Sequence, residues 1–259
     1  MAYDERSLQE ISEKYAELHE VHDRLMLRLM TLRSKLTNDK AKDYLMQGVG
    51  RRLGILTRCI ENIFRIFPIN QADLLPREDL MDLGINLHAF IINVAGLFDN
   101  LGLVFAFEYA LLGGPKDGRL QLRDIGMFKR NMQKRLPDQL RTYLQSDHIC
   151  AWYTEYSKIY RDAVAHRIPL YIPPSIIVGE ARKLYLELEA RLQDLDLSNR
   201  GNLQTYKDIL EQQKRLGTAS PVFVHSEREE GRPMYLHAQV IADYATVEEV
   251  TSKCCKYYK

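Results

Sequence analysis

Apolar residues recur at intervals of three and four over the first third of the chain. Leu8, Ile11, Tyr15, Leu18, Leu25, Leu29, Leu32 and Leu36 form one seam, with His22 standing in it as a tolerated polar residue. That spacing predicts a helix from about Glu5 to Leu36. The polar run Thr37–Lys40 interrupts it. A second seam follows through Leu45, Val49, Leu53, Leu56, Ile60, Ile63 and Phe67 and stops at Pro68, which has no N–H to continue a helix. Two seamed helices with a short turn predict an antiparallel helical hairpin over 5–67.

After the loop PINQADLLP comes the most apolar stretch, which predicts a long central helix from about Arg77 to Leu112. It contains Asn86, His88, Asn93, Asp99, Asn100 and Glu108. A bilayer would be a costly home for these groups, so a buried helix of a soluble protein is expected, with no membrane partner. GGPKDGR (Gly113–Arg119) breaks the pattern, but it lacks the spacing of a phosphate-binding loop and no strand precedes it. The basic stretch FKRNMQKRLPDQLR is expected to be helical with an interruption near Pro137.

From Asp147 onward, Ile149, Trp152, Tyr153, Tyr156, Ile159, Tyr160, Ala163 and Val164 lie at helical spacing. Pro169 forbids that helix from passing Ile168, and IPLYIPP reads as extended. Helices follow over about Val178–Leu195 and Gly201–Leu216. PVFVHS and PMYLHAQV flank EREEGR and predict a β-hairpin. Thr246–Glu249 has capping-box form and is expected to open a short final helix. The expected architecture is mainly α: a helical domain over 1–217, then a small C-terminal appendage over 218–259 made of a β-hairpin plus a helix.

Composition narrows the function classes. Hydrophobic residues make up 46% and charged residues 27%, an ordinary globular balance. A formal net charge of +1 means that any nucleic-acid surface must be a local patch. The N-terminal residues are charged and lack the apolar core of a signal peptide. Cys59, Cys150, Cys254 and Cys255 form no CxxC pair. Reduced thiols in the cytoplasm are therefore expected, with no metal and no cofactor.

Candidate chemistry concentrates in YRDAVAHRIPLYIPP (Tyr160–Pro174). On an ideal helix Arg161 falls roughly 140° from Tyr156, off the apolar face, and Asp162 falls on the other side. His166 follows Asp162 at i+4, so the carboxylate can reach the imidazole and orient it. Arg161 offers a planar fork of donors suited to phosphate. A histidine near its reference pKa can move a proton near neutrality. Arginine and histidine together form a minimal kit for cleaving RNA through its own 2′-OH. The competing reading is a charged helix end favoured by the macrodipole. One copy of the motif also looks incomplete without a second helix or subunit.

Arg161-Asp162-Ala163-Val164-Ala165-His166 resembles the signature of HEPN domains (higher eukaryotes and prokaryotes nucleotide-binding), and AHRIPLYIPP resembles a bacterial branch of HEPN-like proteins. The resemblance implies an all-α bundle with a core at about 77–195. It often implies metal-independent endoribonuclease activity, with arginine and histidine acting at a cleft between two copies in a homodimer. Arg161, His166 and Asp162 are the positions that carry over as catalytic. It further implies a setting in host defence or toxin–antitoxin biology, with RNA as substrate and a protein antitoxin or regulator as partner. Non-catalytic members that bind nucleotides, RNA or proteins keep a second reading open.

Other residues have a functional and a structural reading side by side. Asn86, Asn93 and Asn100 recur every seven residues on the central helix, while His88 and Asp99 share another face. Asn93 or Asp99 could add a polar group to the motif for substrate, or the stripe could hydrogen-bond to a neighbouring loop or face water. The basic stretch from Lys129 to Arg141, led by Lys129 and Arg130, could hold a phosphate backbone or be a solvated face. Tyr153, Tyr156 and Tyr160 could stack bases, although their spacing points to the core. His225, His237 and Asp243 are expected to be structural rather than metal ligands, since no ligand spacing supports a site.

Overall fold

The computed structural model describes residues 3–114, 118–196, 198–199, 201–225 and 233–258. The fold is mainly helical with one small two-stranded antiparallel sheet. The first seam forms α1 (Glu5–Ala16) and α2 (Leu18–Lys35), divided only at Glu17, which keeps right-handed helical geometry. Asp4 caps α1 by accepting from the Ser7 N–H at 2.7 Å. The second seam forms α3 (Asp39–Asp43), a π-helical segment Tyr44–Gly50 and α4 (Arg51–Ile66). Tyr15 stacks on Phe64, His22 meets Thr57, and Met26 approaches Gly50. That descending order of pairs makes the hairpin antiparallel, as the seams predict.

The long apolar helix is α5 (Arg77–Glu108). Among the described residues it is the one helix long and apolar enough to cross a membrane. It packs against α3, α4 and the π segment between them, and Leu87, Phe90, Leu97, Phe98 and Leu101 are buried in the core. Truncating such a side chain to alanine costs about 2–5 kcal/mol.

The predicted breaks hold in part. Pro115–Asp117 of the glycine-rich break lie outside the described residues. The basic stretch gives α6 (Arg130–Gln133) and α7 (Asp138–Leu144), and Pro137 caps the second. The motif region comprises α8 (Asp147–Ala151), a π-helical segment Trp152–Ser157 and α9 (Lys158–His166). Next come α10 (Glu180–Gln193) and α11 (Asn202–Leu216), which bury Leu188 and Ile209.

The C-terminal region departs from expectation. The hairpin is reduced to β1 (Val222–Phe223) and β2 (Met234–Tyr235), with Val222 opposite Tyr235. Its expected turn, EREEGR, lies outside the described residues. The final helix is not a short one opening at Thr246. It is α12 (Leu236–Tyr257), 22 residues long. LHAQV alternates poorly as a strand but places Leu236, His237 and Val240 on one helical face, and all three are buried. The helix packs on α1, α2, α4, α5 and α7. One continuous core runs from Ile11 to Tyr258, so 218–259 is built into the bundle rather than appended to it.

Buried polar contacts hold α12 there. Tyr258 donates to the Leu101 carbonyl at 2.8 Å. His237 bonds the Phe67 carbonyl through Nε2 at 2.6 Å. A carbonyl only accepts, so Nε2 carries the proton and Nδ1 accepts from the Tyr3 hydroxyl at 3.2 Å. Asp243 accepts from Trp152 Nε1, Tyr156 Oη and Gln239 Nε2 at 2.8, 2.9 and 2.9 Å. Among the described residues no cluster of histidine, cysteine or carboxylate side chains has metal-binding geometry.

His237 and Asp243 tie stability to pH in opposite senses. Burial holds His237 down at about 4 from 6.5. The unfolded chain therefore takes the proton first, and stability is lost as pH falls from about 6.5 to about 4. Burial raises Asp243 from 3.8 to about 6, against the pull of its three donors. There the folded chain takes the proton first, and stability is lost as pH rises between those values. His237→Gln should expose the Asp243 slope, with a urea midpoint that declines from pH 4 to pH 6 relative to wild type. Asp243→Asn should do the reverse. Profiles parallel to wild type in both variants would contradict this pairing.

Candidate functional site

The site begins with the π-helical segment Trp152–Ser157. A π turn closes its hydrogen bonds at i+5 and takes up an extra residue, so it re-phases everything downstream. An unbroken helix would carry Arg161 off the buried face with Asp162 on the far side. In the structure α9 buries Tyr160 and Ala163, the face their spacing predicts, and leaves both Arg161 and Asp162 half-buried beside it. Arg161 Nε lies 2.7 Å from Asp162 Oδ1. The contact is one of charge, because the buried Nε–H is not aligned for a hydrogen bond with that oxygen or any other acceptor. The terminal guanidinium nitrogens have no hydrogen-bond partner among the described residues.

His166 is the last residue of α9 and is exposed. The expected Asp162–His166 contact is not formed, and His166 has no side-chain hydrogen bond or ion pair among the described residues. The reason is local: Asp162 is drawn to the cation next to it, while His166 sits where the helix ends.

The structure brings Asp99 and Lys129 to Arg161. Asp99 comes from α5, which packs against α9. It is open to solvent at the mouth of the cluster, yet protein atoms crowd its carboxyl. Burial lifts its pKa above the usual carboxylate value, and Lys129, Arg161 and Arg52 pull the other way. Lys129 reaches the cluster through a tight loop. Gly126 has φ 146°, and a Cβ there would come within 2.5 Å of Asp99 Oδ1. A Cβ on Gly102 would come within 2.8 Å of the Gly126 nitrogen. Two glycines therefore let the 126–129 loop lie directly on α5. Phe128 stacks on Tyr153 at 3.9 Å and 12°, which ties the loop to the π segment. Lys129 Nζ donates to the Arg123 carbonyl.

Tyr153 has its pKa raised by burial, and the charges of Arg161, Asp99 and Asp162 also act on it. One edge of the bundle thus gathers three cations (Arg52, Lys129, Arg161), two carboxylates (Asp99, Asp162) and an aromatic pair. Arg130 is exposed at the start of α6 with no ion pair among the described residues.

Asn93 has a different job. Its Oδ1 accepts from Arg52 Nη1 at 2.7 Å and its Nδ2 donates to the Ala89 carbonyl at 2.7 Å. Asn100 Oδ1 accepts from Arg52 Nε at 2.9 Å. A Cβ on Gly96 would fall 2.5 Å from the guanidinium carbon. Asn93, Gly96 and Asn100 therefore make a slot on α5 for an arginine of α4. Asn86 bonds Asn62, also of α4, at 3.0 Å. The seven-residue stripe faces a neighbouring helix, not a loop or water. Sequence reasoning missed Arg52. The signal was an arginine near the facing seam, opposite asparagines spaced by seven with a glycine between.

Tyr156 and Tyr160 belong to the core, as their spacing suggests: Tyr156 serves Asp243, and Tyr160 packs edge-on against Phe223. His225 and His237 are buried. No protein-family model, curated protein or solved structure matches this chain.

Two substitutions separate support from site. Arg52→Ala should lower unfolding free energy by about 2–3 kcal/mol, because it leaves the Asn93 and Asn100 oxygens without their charged donor. Gly126→Ala should cost about 1–3 kcal/mol through its positive φ and the clash with Asp99. Urea titration reads both. A loss under 0.5 kcal/mol in either variant would remove the corresponding contact from this account.

Proposed function

We propose that the chain is a HEPN-type endoribonuclease that works as a homodimer without a metal. The observation that carries the reading is Arg161. It is anchored at its half-buried base in a cluster that includes Lys129, its terminal nitrogens are unengaged, and it lies on the same short helix as an exposed histidine. Charge stabilisation by a guanidinium does the work that a Lewis acid would otherwise do at phosphorus.

In the reaction the ribose 2′-oxygen attacks the adjacent phosphorus and the bond to the 5′-oxygen breaks. The products are a 2′,3′-cyclic phosphate and a 5′-hydroxyl. One proton must leave the 2′-OH and one must reach the departing 5′-oxygen. His166 supplies one proton-transfer group per chain. A second copy supplies the other, which is why the dimer belongs to the proposal. Arg161 stabilises the extra negative charge at phosphorus. Asp162 loses its expected role of orienting His166 and instead holds Arg161. Asp99 sets the charge of the cluster, Lys129 and Arg130 contact the backbone, and the Phe128–Tyr153 pair offers a flat apolar surface for a base.

One observation favours the alternative of a non-catalytic nucleotide-, RNA- or protein-binding module. Asp162 and Asp99 offset part of the positive charge next to Arg161, which weakens its hold on phosphate.

Incubation with mixed RNA in the presence of a chelator separates the two. The nuclease reading expects fragments ending in 2′,3′-cyclic phosphate, with Arg161→Ala and His166→Ala each lowering the rate by about 100-fold or more. Intact RNA at high protein concentration sinks it, as does cleavage that survives both substitutions. Asp99→Asn should change the rate while leaving stability intact, in contrast to Arg52→Ala.

A further inference from the structure

A large cavity lies away from the motif, and none of Arg161, Asp162 or His166 lines it. It is an open groove of about 1180 Å³ between the N-terminal turns of α5, the extended chain after α9 and the α10–α11 pair. Leu188 and Ile209 are buried within that pair, outside the continuous core. The groove therefore separates the bundle from a helical hairpin closed at its base by the pairing of Ile176 with Thr218 and tied to the chain before α5 by the Ala219 N–H, which donates to the Ala72 carbonyl.

Two properties define what fits there. The first is apolar surface held open to water: Met81, Leu186, Tyr171 and Leu210 line the groove and are 59%, 56%, 54% and 40% exposed. Apolar side chains gathered in one groove mark an interaction site. The second is charge. Arg77, Arg182 and Lys214 line it, and among the described residues no carboxylate does. Arg77 and Arg182 form no ion pair among the described residues, and Lys214 stands 3.9 Å from Glu211. Glu189 is engaged by Gln213 at 2.9 Å.

Shape selects among anionic occupants. Small-molecule sites span roughly 300–1,000 Å³ and enclose most of their ligand. This groove exceeds that range and stays open. A helix about 10–12 Å across can lay one apolar face into it and keep its flanks at the rim, where the cations stand. We propose that the groove docks an acidic amphipathic helix of a partner polypeptide, with its apolar face on Met81, Leu186 and Leu210 and its carboxylates on Arg77, Arg182 and Lys214. The proposal does not depend on the nuclease reading.

The test uses the full chain and a fluorescein-labelled 15-residue peptide with leucine at i, i+3, i+4 and i+7 and glutamate on both flanks. Fluorescence anisotropy is expected to show saturable binding that weakens with salt and is absent for a scrambled peptide of the same composition. Arg182→Glu with Lys214→Glu should weaken binding about 10-fold or more and favour a peptide with lysine in place of glutamate. Gly84 lines the groove, and a Cβ there meets nothing within 4 Å, so Gly84→Trp should fill the space and block the peptide without unfolding the chain. Circular dichroism checks each variant. The proposal falls if the scrambled peptide binds equally, or if neither variant weakens binding. It also falls if cis-parinaric acid saturates the groove and the peptide does not compete. Sedimentation showing a dimer that Leu186→Asp dissociates would assign the groove to a second copy instead, and likewise overturn it.

Discussion

The carboxylate of Asp243 is the contact on which the site's placement depends. A buried carboxylate is costly unless its lone pairs are satisfied, and this one is met by an indole, a phenol and an amide. Trp152 and Tyr156 lie in the π-helical segment ahead of α9, while Asp243 and Gln239 lie on α12. The C-terminal helix therefore holds the irregular turn that decides where Arg161 and Asp162 point. Hydrogen bonds to a charged acceptor are each worth about 1.5–3 kcal/mol, enough to maintain a helical irregularity that regular hydrogen bonding would otherwise remove. The same network explains why α12 is long and central: it must span from the Phe67 carbonyl, through Asp243, to the Leu101 carbonyl.

The second constraint is the fit of polar groups along α5. That helix is the most apolar in the chain, yet its polar residues are spent in distinct ways. Asn93 and Asn100 hold Arg52, and Asn86 meets Asn62, which fix α4 against α5. His88 bonds the Leu170 carbonyl at 2.8 Å, which fixes the start of the extended segment after α9. Asp99 alone of this set faces the cluster with Arg161 and Lys129. One helix thus sets the position of the N-terminal hairpin, the post-motif chain and the candidate site. A glycine loop pressed on it at Gly102 completes the arrangement.

The antiparallel hairpin over 5–67, the central helix and the helix-ending prolines were legible in the sequence, because periodic burial and the missing proline N–H act locally. The motif was legible as a set of residue types, though not as geometry. Regular helical phasing lets Asp162 reach His166, but Asp162 pairs instead with Arg161, the cation next to it in the chain. The C-terminal helix was misread from Leu236 to Asp243, since short apolar runs fit a strand or a helix until their packing partners are known. Lys129 joined Asp99 only through two glycines whose closeness no local pattern reveals. Arg52 carried no visible signal without the asparagines across from it. The sequence by itself determined the helices of the N-terminal hairpin, the central helix and the residue types available at the candidate site, because those follow from side-chain type and spacing. Only the tertiary structure decided which charges meet, because that depends on helix phase and on contacts such as Arg52–Asn93 and Trp152–Asp243, between residues 41 and 91 positions apart.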